Sequence, residues 1–244
     1  MIHLGRKLIV WAMFVGLALP GLVRAEDASA KLYVKALDAS GWVIGKASSG
    51  AGCLVDGPNR LMLTNYHVVQ EEETVQVAFP VFTGETVIDN RDFYWKNWKL
   101  LSLGGKVIHC DKKRDLALIQ LDTLPRTAVP LKLADQLPRV GERLYRVGSP
   151  GADRECWQQT EGKVRELTKI NLTYPTKQNV IARAVVSELP GTNGHSGAAV
   201  LNGQGELVAV HAAKEDARSL SVSIDVNEVR AFLAEGRERL VASK

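Results

Sequence analysis

The sequence predicts an all-β protein of sandwich or barrel architecture, closed by one C-terminal helix. Three observations carry this. Short apolar runs recur along the chain, separated by turn residues at intervals of about 8 to 12 residues. Several of them alternate, as in Thr74-Val75-Gln76-Val77-Ala78-Phe79, which is the period of a half-buried strand. Only the last stretch departs from that period. Val226, Val229, Phe232 and Leu233 form one helical face after Asp225 and Glu228, which fit a capping box.

Residues 1–25 read as a targeting segment. Arg6 and Lys7 precede an apolar run from Leu8 to Leu19, and Val23-Arg24-Ala25 resembles a signal-peptidase site. The run is shorter than the roughly 20 residues a spanning helix needs, which favours cleavage over a retained anchor. The expectation is export, to the periplasm or beyond. Without this segment the formal net charge falls from +4 to +1. The basic balance therefore gives no support for a nucleic-acid or membrane-surface partner. Cys53, Cys110 and Cys156 make an odd count, which fits one bridge plus a free thiol or three buried thiols. No Cys/His cluster has zinc-site spacing, and no metal or cofactor is expected.

Further along, Leu32–Leu37 and Gly41–Ala47 read as strands. The glycine-rich stretch 48–52 lacks the G-K-[ST] ending of a phosphate loop and reads as a turn. Asp56-Gly57-Pro58-Asn59 is a hairpin signal, and the apolar run from Leu61 leads to His67. Residues 82–99 are irregular, with Phe93, Tyr94, Trp95 and Trp98 close together. Packing of a long loop is favoured there over substrate binding. Lys106–His109 forms a strand before Asp115. Pro125, Pro130 and Pro138 mark a connector at 126–139 between a first half, 26–125, and a second, 140–244. Strands at Arg143–Val147, Thr160–Val164 and Val180–Val186 follow, and then the helix, at about 226–240, expected to dock on the second half.

The chemistry gathers at Pro190-Gly191-Thr192-Asn193-Gly194-His195-Ser196-Gly197. Glycines on both sides of a serine allow φ > 0 and a close backbone approach to substrate. Such a turn aims successive N–H groups at one point, so Gly194 and Ser196 are candidates for an oxyanion hole. A serine needs a base and an acid that orients the base. His67, at the end of its apolar run, is the candidate base. Asp115, directly before Leu116-Ala117-Leu118-Ile119, is the candidate acid. The order His, Asp, Ser is one of several that build a triad.

Thr64-Asn65-Tyr66-His67-Val68-Val69, Asp115-Leu116-Ala117-Leu118 and Gly194-His195-Ser196-Gly197 resemble the three catalytic blocks of chymotrypsin-fold serine endopeptidases. Within these the chain is similar to the bacterial HtrA-type branch, whose second barrel opens on a stretch like Val147-Gly148-Ser149-Pro150-Gly151. The resemblance runs from about Tyr33 to about Phe232. It implies two six-stranded antiparallel β-barrels, polypeptide substrates, and His67, Asp115 and Ser196 as catalytic residues. It also implies that Pro190, Gly191, Thr192, His211, Ala212 and Ala213 wall the pocket for the residue before the cut. No acid stands at the base of that pocket, so a small or medium apolar residue is expected there. Members of that branch usually carry a PDZ domain beyond this point; the sequence ends soon after Leu240, so none is expected. One departure supports an alternative. The family usually continues Gly-Pro where this chain has Ala198-Ala199, which suits a pseudoprotease, weak or inactive in turnover, that acts as a protein-binding module.

Overall fold

The structure is a computed structural model that describes residues 20–148, 155–191, 194–215 and 218–242. The described residues open with a helix, α1 (Pro20–Ala39). The expected targeting segment lies outside the described residues as far as residue 19. The strand expected at Leu32–Leu37 is part of α1 instead. Leu32, Ala36 and Leu37 are buried, Tyr33 is half-buried and Val34 is exposed, which is helical and not alternating spacing. α1 packs on the second half of the chain. The Tyr33 hydroxyl donates to the Trp157 carbonyl at 2.9 Å, and Lys35 Nζ donates to the Gln204 carbonyl at 3.2 Å.

The first half then folds as β1 (Ser40–Ile44), β2 (Ser49–Asp56), β3 (Leu61–Thr64), a one-turn helix α2 (Tyr66–Val69) and β4 (Thr74–Ala78). A small hairpin, β5 (Phe82–Thr83) and β6 (Thr86–Val87), and two short helices, α3 (Arg91–Lys96) and α4 (Trp98–Leu101), lead to β7 (Ser102–Asp111) and β8 (Leu116–Leu121). β1-β2-β3-β8-β7-β4 close into an antiparallel barrel, which leaves no strand edge open. Its interior is filled by Val43, Met62, Val77, Ala117 and Ile119, and burying each larger side chain contributes about 1.5–3 kcal/mol.

The second half holds β9 (Arg143–Gly148), β10 (Gln158–Thr173), β11 (Asn179–Ser187), β12 (Ala199–Leu201), β13 (Leu207–Glu215) and β14 (Leu220–Asp225). Their pairings join in a closed ring, β10-β11-β14-β13-β12-β9. Leu144, Val164, Val185, Val200 and Val208 pack inside it. The connector is pinned to both halves. Leu131 N donates to the Leu54 carbonyl at 2.9 Å and Ala134 N to the Leu207 carbonyl at 2.9 Å.

The last described element is α5 (Val226–Ala242). Asp225 Oδ1 accepts from the backbone N–H groups of Asn227 and Glu228, both at 2.9 Å, and so caps the helix. Glu228 does not complete the box. It accepts from Arg183 N at 3.2 Å and Arg114 Nε at 3.1 Å. Docking on the second half alone is therefore corrected. Phe232 stacks on His109 of β7, with ring centroids 4.6 Å apart and planes at 11°, so α5 bridges the two halves.

The aromatic stretch packs onto the body. The Tyr94 hydroxyl accepts from Val81 N at 3.0 Å and Trp157 Nε1 at 2.9 Å, and donates to the Ile88 carbonyl at 2.8 Å. Trp95 and Trp98 meet Trp42 edge-on at 5.0 and 5.6 Å. All three cysteines are free thiols. Among the described residues, no helix is long and apolar enough to cross a membrane.

Candidate active site

His67 is not delivered by a strand end. β3 stops at Thr64, the chain turns at Asn65, and His67 lies in α2, anchored by the wholly buried Val68 and Val69. Asp115 sits in the tight turn between β7 and β8 at φ 55, a left-handed conformation that Asp tolerates better than most residues. The two side chains meet, with His67 Nδ1 2.7 Å from Asp115 Oδ2. His67 N also donates to Asp115 Oδ1 at 3.0 Å, and Asn65 Nδ2 donates to the Asp115 carbonyl at 2.8 Å.

Two further donors come from the turn between β10 and β11 in the second half. The Tyr174 hydroxyl donates to Asp115 Oδ2 at 2.9 Å, and Gln178 Nε2 donates to Asp115 Oδ1 at 3.2 Å. The fully buried carboxylate is thus surrounded by donors on both oxygens. That arrangement places the ring proton of a neutral His67 on Nδ1 and leaves Nε2 as an acceptor. Tyr174 also stands edge-on to the His67 ring, with centroids 5.2 Å apart. Its own burial, with the Asp115 charge beside it, holds the phenol far above its usual range, so it remains a donor. A groove of about 370 Å³ opens beside His67, between Tyr66 and Gln70 on one side and Thr176 to Asn179 on the other.

The turn carrying Ser196 is fastened to both halves. The Ser196 carbonyl accepts from Ala51 N at 2.7 Å, and Gly197 N donates to the His211 carbonyl at 2.9 Å. Ala51 also accepts from Thr64 Oγ1 at 2.6 Å, so one residue of β2 holds the serine turn and the strand that leads to His67. Gly194 and Gly197 adopt φ 97 and 88. A Cβ on Gly197 would collide with the Ala51 carbonyl and with Thr64 Oγ1. Ala198 is buried; its N–H donates to the His195 carbonyl within the turn and its carbonyl accepts from His211 N, both at 2.9 Å. Among the described residues no hydrogen bond joins the Ser196 hydroxyl to His67. Such bonds are often long in free enzymes and tighten with substrate. Of the expected pocket walls, Pro190, Gly191, His211, Ala212 and Ala213 are described; Thr192 lies outside the described residues.

Sequence reasoning missed Tyr174, Gln178 and one further residue, Arg146. Arg146 lies on β9, is wholly buried, and runs beneath the loop that leads to Ser196. Its Nη2 donates to the Pro190 carbonyl and lies 3.0 Å from His195 Nδ1. A guanidinium only donates, so His195 Nδ1 accepts and the ring proton lies on Nε2. Burial, with Arg146 adding to it, pushes the His195 imidazole down to about 3, which keeps it neutral.

Residues 39–210 match the family profile of the trypsin-like peptidase domain, and the chain belongs to that family. It is 28% identical over 198 residues to a serine protease HtrA-like protein of Staphylococcus aureus, a match covering 78% of this chain and 23% of that protein. It is 28% identical over 165 residues to the periplasmic serine endoprotease DegP of Salmonella typhimurium, covering 67% of this chain and 30% of DegP. The chain therefore spans less than a third of the length of these relatives. Among solved structures, the active form of the Rv3671c protease from M. tuberculosis superposes with a TM-score of 0.65 at 20% identity, covering 88% of this chain and 86% of that one. The fold is chymotrypsin-like, and the chain is similar in sequence to HtrA-type serine proteases.

Proposed function

We propose that the protein is an exported serine endopeptidase that hydrolyses peptide bonds in extended polypeptides. The observation that carries this reading is the 2.7 Å contact between His67 and Asp115, with the Ser196 turn tied to the strand leading to His67 through Ala51. The closed C-terminal ring is read as the second barrel of the pair, with the catalytic groups in the cleft between them.

In this mechanism His67 Nε2 takes the Ser196 proton as the hydroxyl oxygen bonds to the scissile carbonyl carbon. Asp115 holds the imidazole orientation and offsets the charge of the imidazolium. The backbone N–H groups of Gly194 and Ser196 receive the oxyanion, and loss of one such donor typically costs about 3–4 kcal/mol in the barrier. His67 then protonates the leaving amine, and water repeats the sequence to release the acyl group. β12 pairs with β13 only as far as Ala199 opposite Val210, so the edge of residues 212–215 can take an extended substrate as an added strand. Pro190, Gly191, Thr192, His211, Ala212 and Ala213 then flank the residue before the cut. Residues 1–25 serve as the export signal.

A fluorophosphonate probe tests this reading. Labelling that maps to Ser196 and disappears in Ser196→Ala supports it. A folded chain that is not labelled favours the alternative, a binding module that uses the same cleft without turnover.

A further inference from the structure

Arg146 is a buried cation without a counter-ion. It is wholly buried, and among the described residues no carboxylate pairs with it. Nη2 has two acceptors, but Nε and Nη1 are buried and have none. Burial pushes the guanidinium down to about 9, which still leaves it charged at neutral pH. An unpaired buried cation is costly, and proteins normally supply it with an anion or a set of acceptors.

The neighbours of Arg146 say where that anion belongs. Pro190 and His195, which Nη2 contacts, bracket the loop that leads into Ser196. The His195 ring meets that of His211 edge-on, with centroids 6.3 Å apart. His211 is buried, and its Nδ1 also lacks a partner. Both histidines are held neutral by burial and by the nearby guanidinium, so they act as polar neighbours and not as added cations. On the outer side, the aliphatic part of the Lys214 side chain packs against Gly191. Two side chains with unpartnered polar atoms, Arg146 at Nε and Nη1 and His211 at Nδ1, thus belong to or contact the two segments read above as pocket walls.

From the juxtaposition of Arg146, His211 and the Pro190 carbonyl we propose that this pocket receives an acidic side chain, glutamate or aspartate, from the residue before the scissile bond. This rests on the reading of Pro190, Gly191 and 211–213 as pocket walls, and it departs from the expectation of a small or medium apolar residue. A carboxylate supplies both the acceptor atoms and the countercharge that Arg146 lacks. An apolar side chain supplies neither and leaves the same N–H groups unpaired.

Binding to the full-length Ser196→Ala chain tests the pocket without needing turnover. The probes are N-acetylated, C-terminally amidated tetrapeptides that differ only in a last residue of Glu, Gln, Val or Lys, so that the side chain alone carries charge. Titration calorimetry at neutral pH should show Glu binding at least tenfold tighter than Gln or Val. Arg146→Met should abolish that advantage, so that Glu binds no tighter than Gln or Val. If Arg146→Met does not fold, the Glu against Gln comparison decides alone, because it leaves the pocket intact. Gln or Val binding as well as Glu, or no measurable binding of any of the four, overturns the proposal. Labelling of Ser196 without a Glu preference removes the acidic pocket and leaves the peptidase. A Glu preference without labelling keeps the pocket and removes the peptidase.

Discussion

The Tyr174 hydroxyl and His67 Nδ1 share one oxygen of Asp115, with Tyr174 2.9 Å from Oδ2. The tyrosine comes from the second half of the chain and the aspartate from the first, so this bond ties the halves together at the site itself. Tyr174→Phe removes the donor and keeps the ring against His67. A hydrogen bond to a charged group is worth about 1.5–3 kcal/mol, so kcat on a peptide substrate should fall about tenfold or more. KM should change little, because the tyrosine acts through Asp115 and not on the substrate. Since the phenol is held above its usual range, the loss should be the same from pH 6 to pH 9. Steady-state kinetics across that interval check this; a loss confined to KM would remove Tyr174 from the positioning role.

Gly197 is a fixed point of the serine turn. It combines φ 88 with a position where a Cβ would strike the Ala51 carbonyl. Gly197→Ala should destabilise the fold by about 2 kcal/mol or more and abolish fluorophosphonate labelling, because the turn must leave Ala51. Urea unfolding together with labelling reads both effects. A stable, fully labelled variant would show that the contact between Ala51 and the turn is dispensable.

His195 makes stability depend on acid. Its folded value, about 3, lies below the ordinary 6.5, so below pH 6.5 the unfolded chain takes up a proton that the folded chain refuses. Stability should therefore be complete above pH 6.5 and be lost as the pH falls from 6.5 towards 3, by up to the order of 4 kcal/mol. His211 shifts in the same direction and adds to the slope. His195→Asn keeps an acceptor for Arg146 and removes the titration. Denaturant unfolding at pH 7 and pH 4 should show a shallower acid loss in this variant; an unchanged slope would place the acid sensitivity elsewhere.

The three candidate triad residues were legible because each stands beside a strong local signal. His67 and Asp115 each adjoin an apolar run, and Ser196 lies between glycines. What was missed depends on contacts distant in sequence. Tyr174 reaches Asp115 from the far side of the cleft, and nothing local sets it apart from any other aromatic residue near a turn. In Arg143-Leu144-Tyr145-Arg146-Val147 the alternation places Arg146 on the same inward face as Leu144, but a charged residue in a strand reads as solvent-facing. Leu32–Leu37 was misread because its apolar residues fit either period over six positions. Only packing against the second half selects the helix.

The thiols provide a check on the packing. Burial pushes Cys53 and Cys156 up to about 12 and Cys110 up to about 11, so at neutral pH all three are protonated and poor nucleophiles. Native protein should react with Ellman's reagent about a hundredfold more slowly than unfolded protein. Unfolded, unreduced protein should titrate all three thiols. A count of one would show a bridge and contradict the packing described for Cys53 and Cys156.

The central claim is that Ser196, His67 and Asp115 act as one unit. The most direct measurement compares kcat for peptide hydrolysis in Ser196→Ala, His67→Ala and the double variant. Members of a triad are non-additive, so each single change should lower kcat by about 10⁶ and the double change should cost no more. Losses that add, or a Ser196→Ala chain that still turns over substrate at the parent rate, would contradict the account.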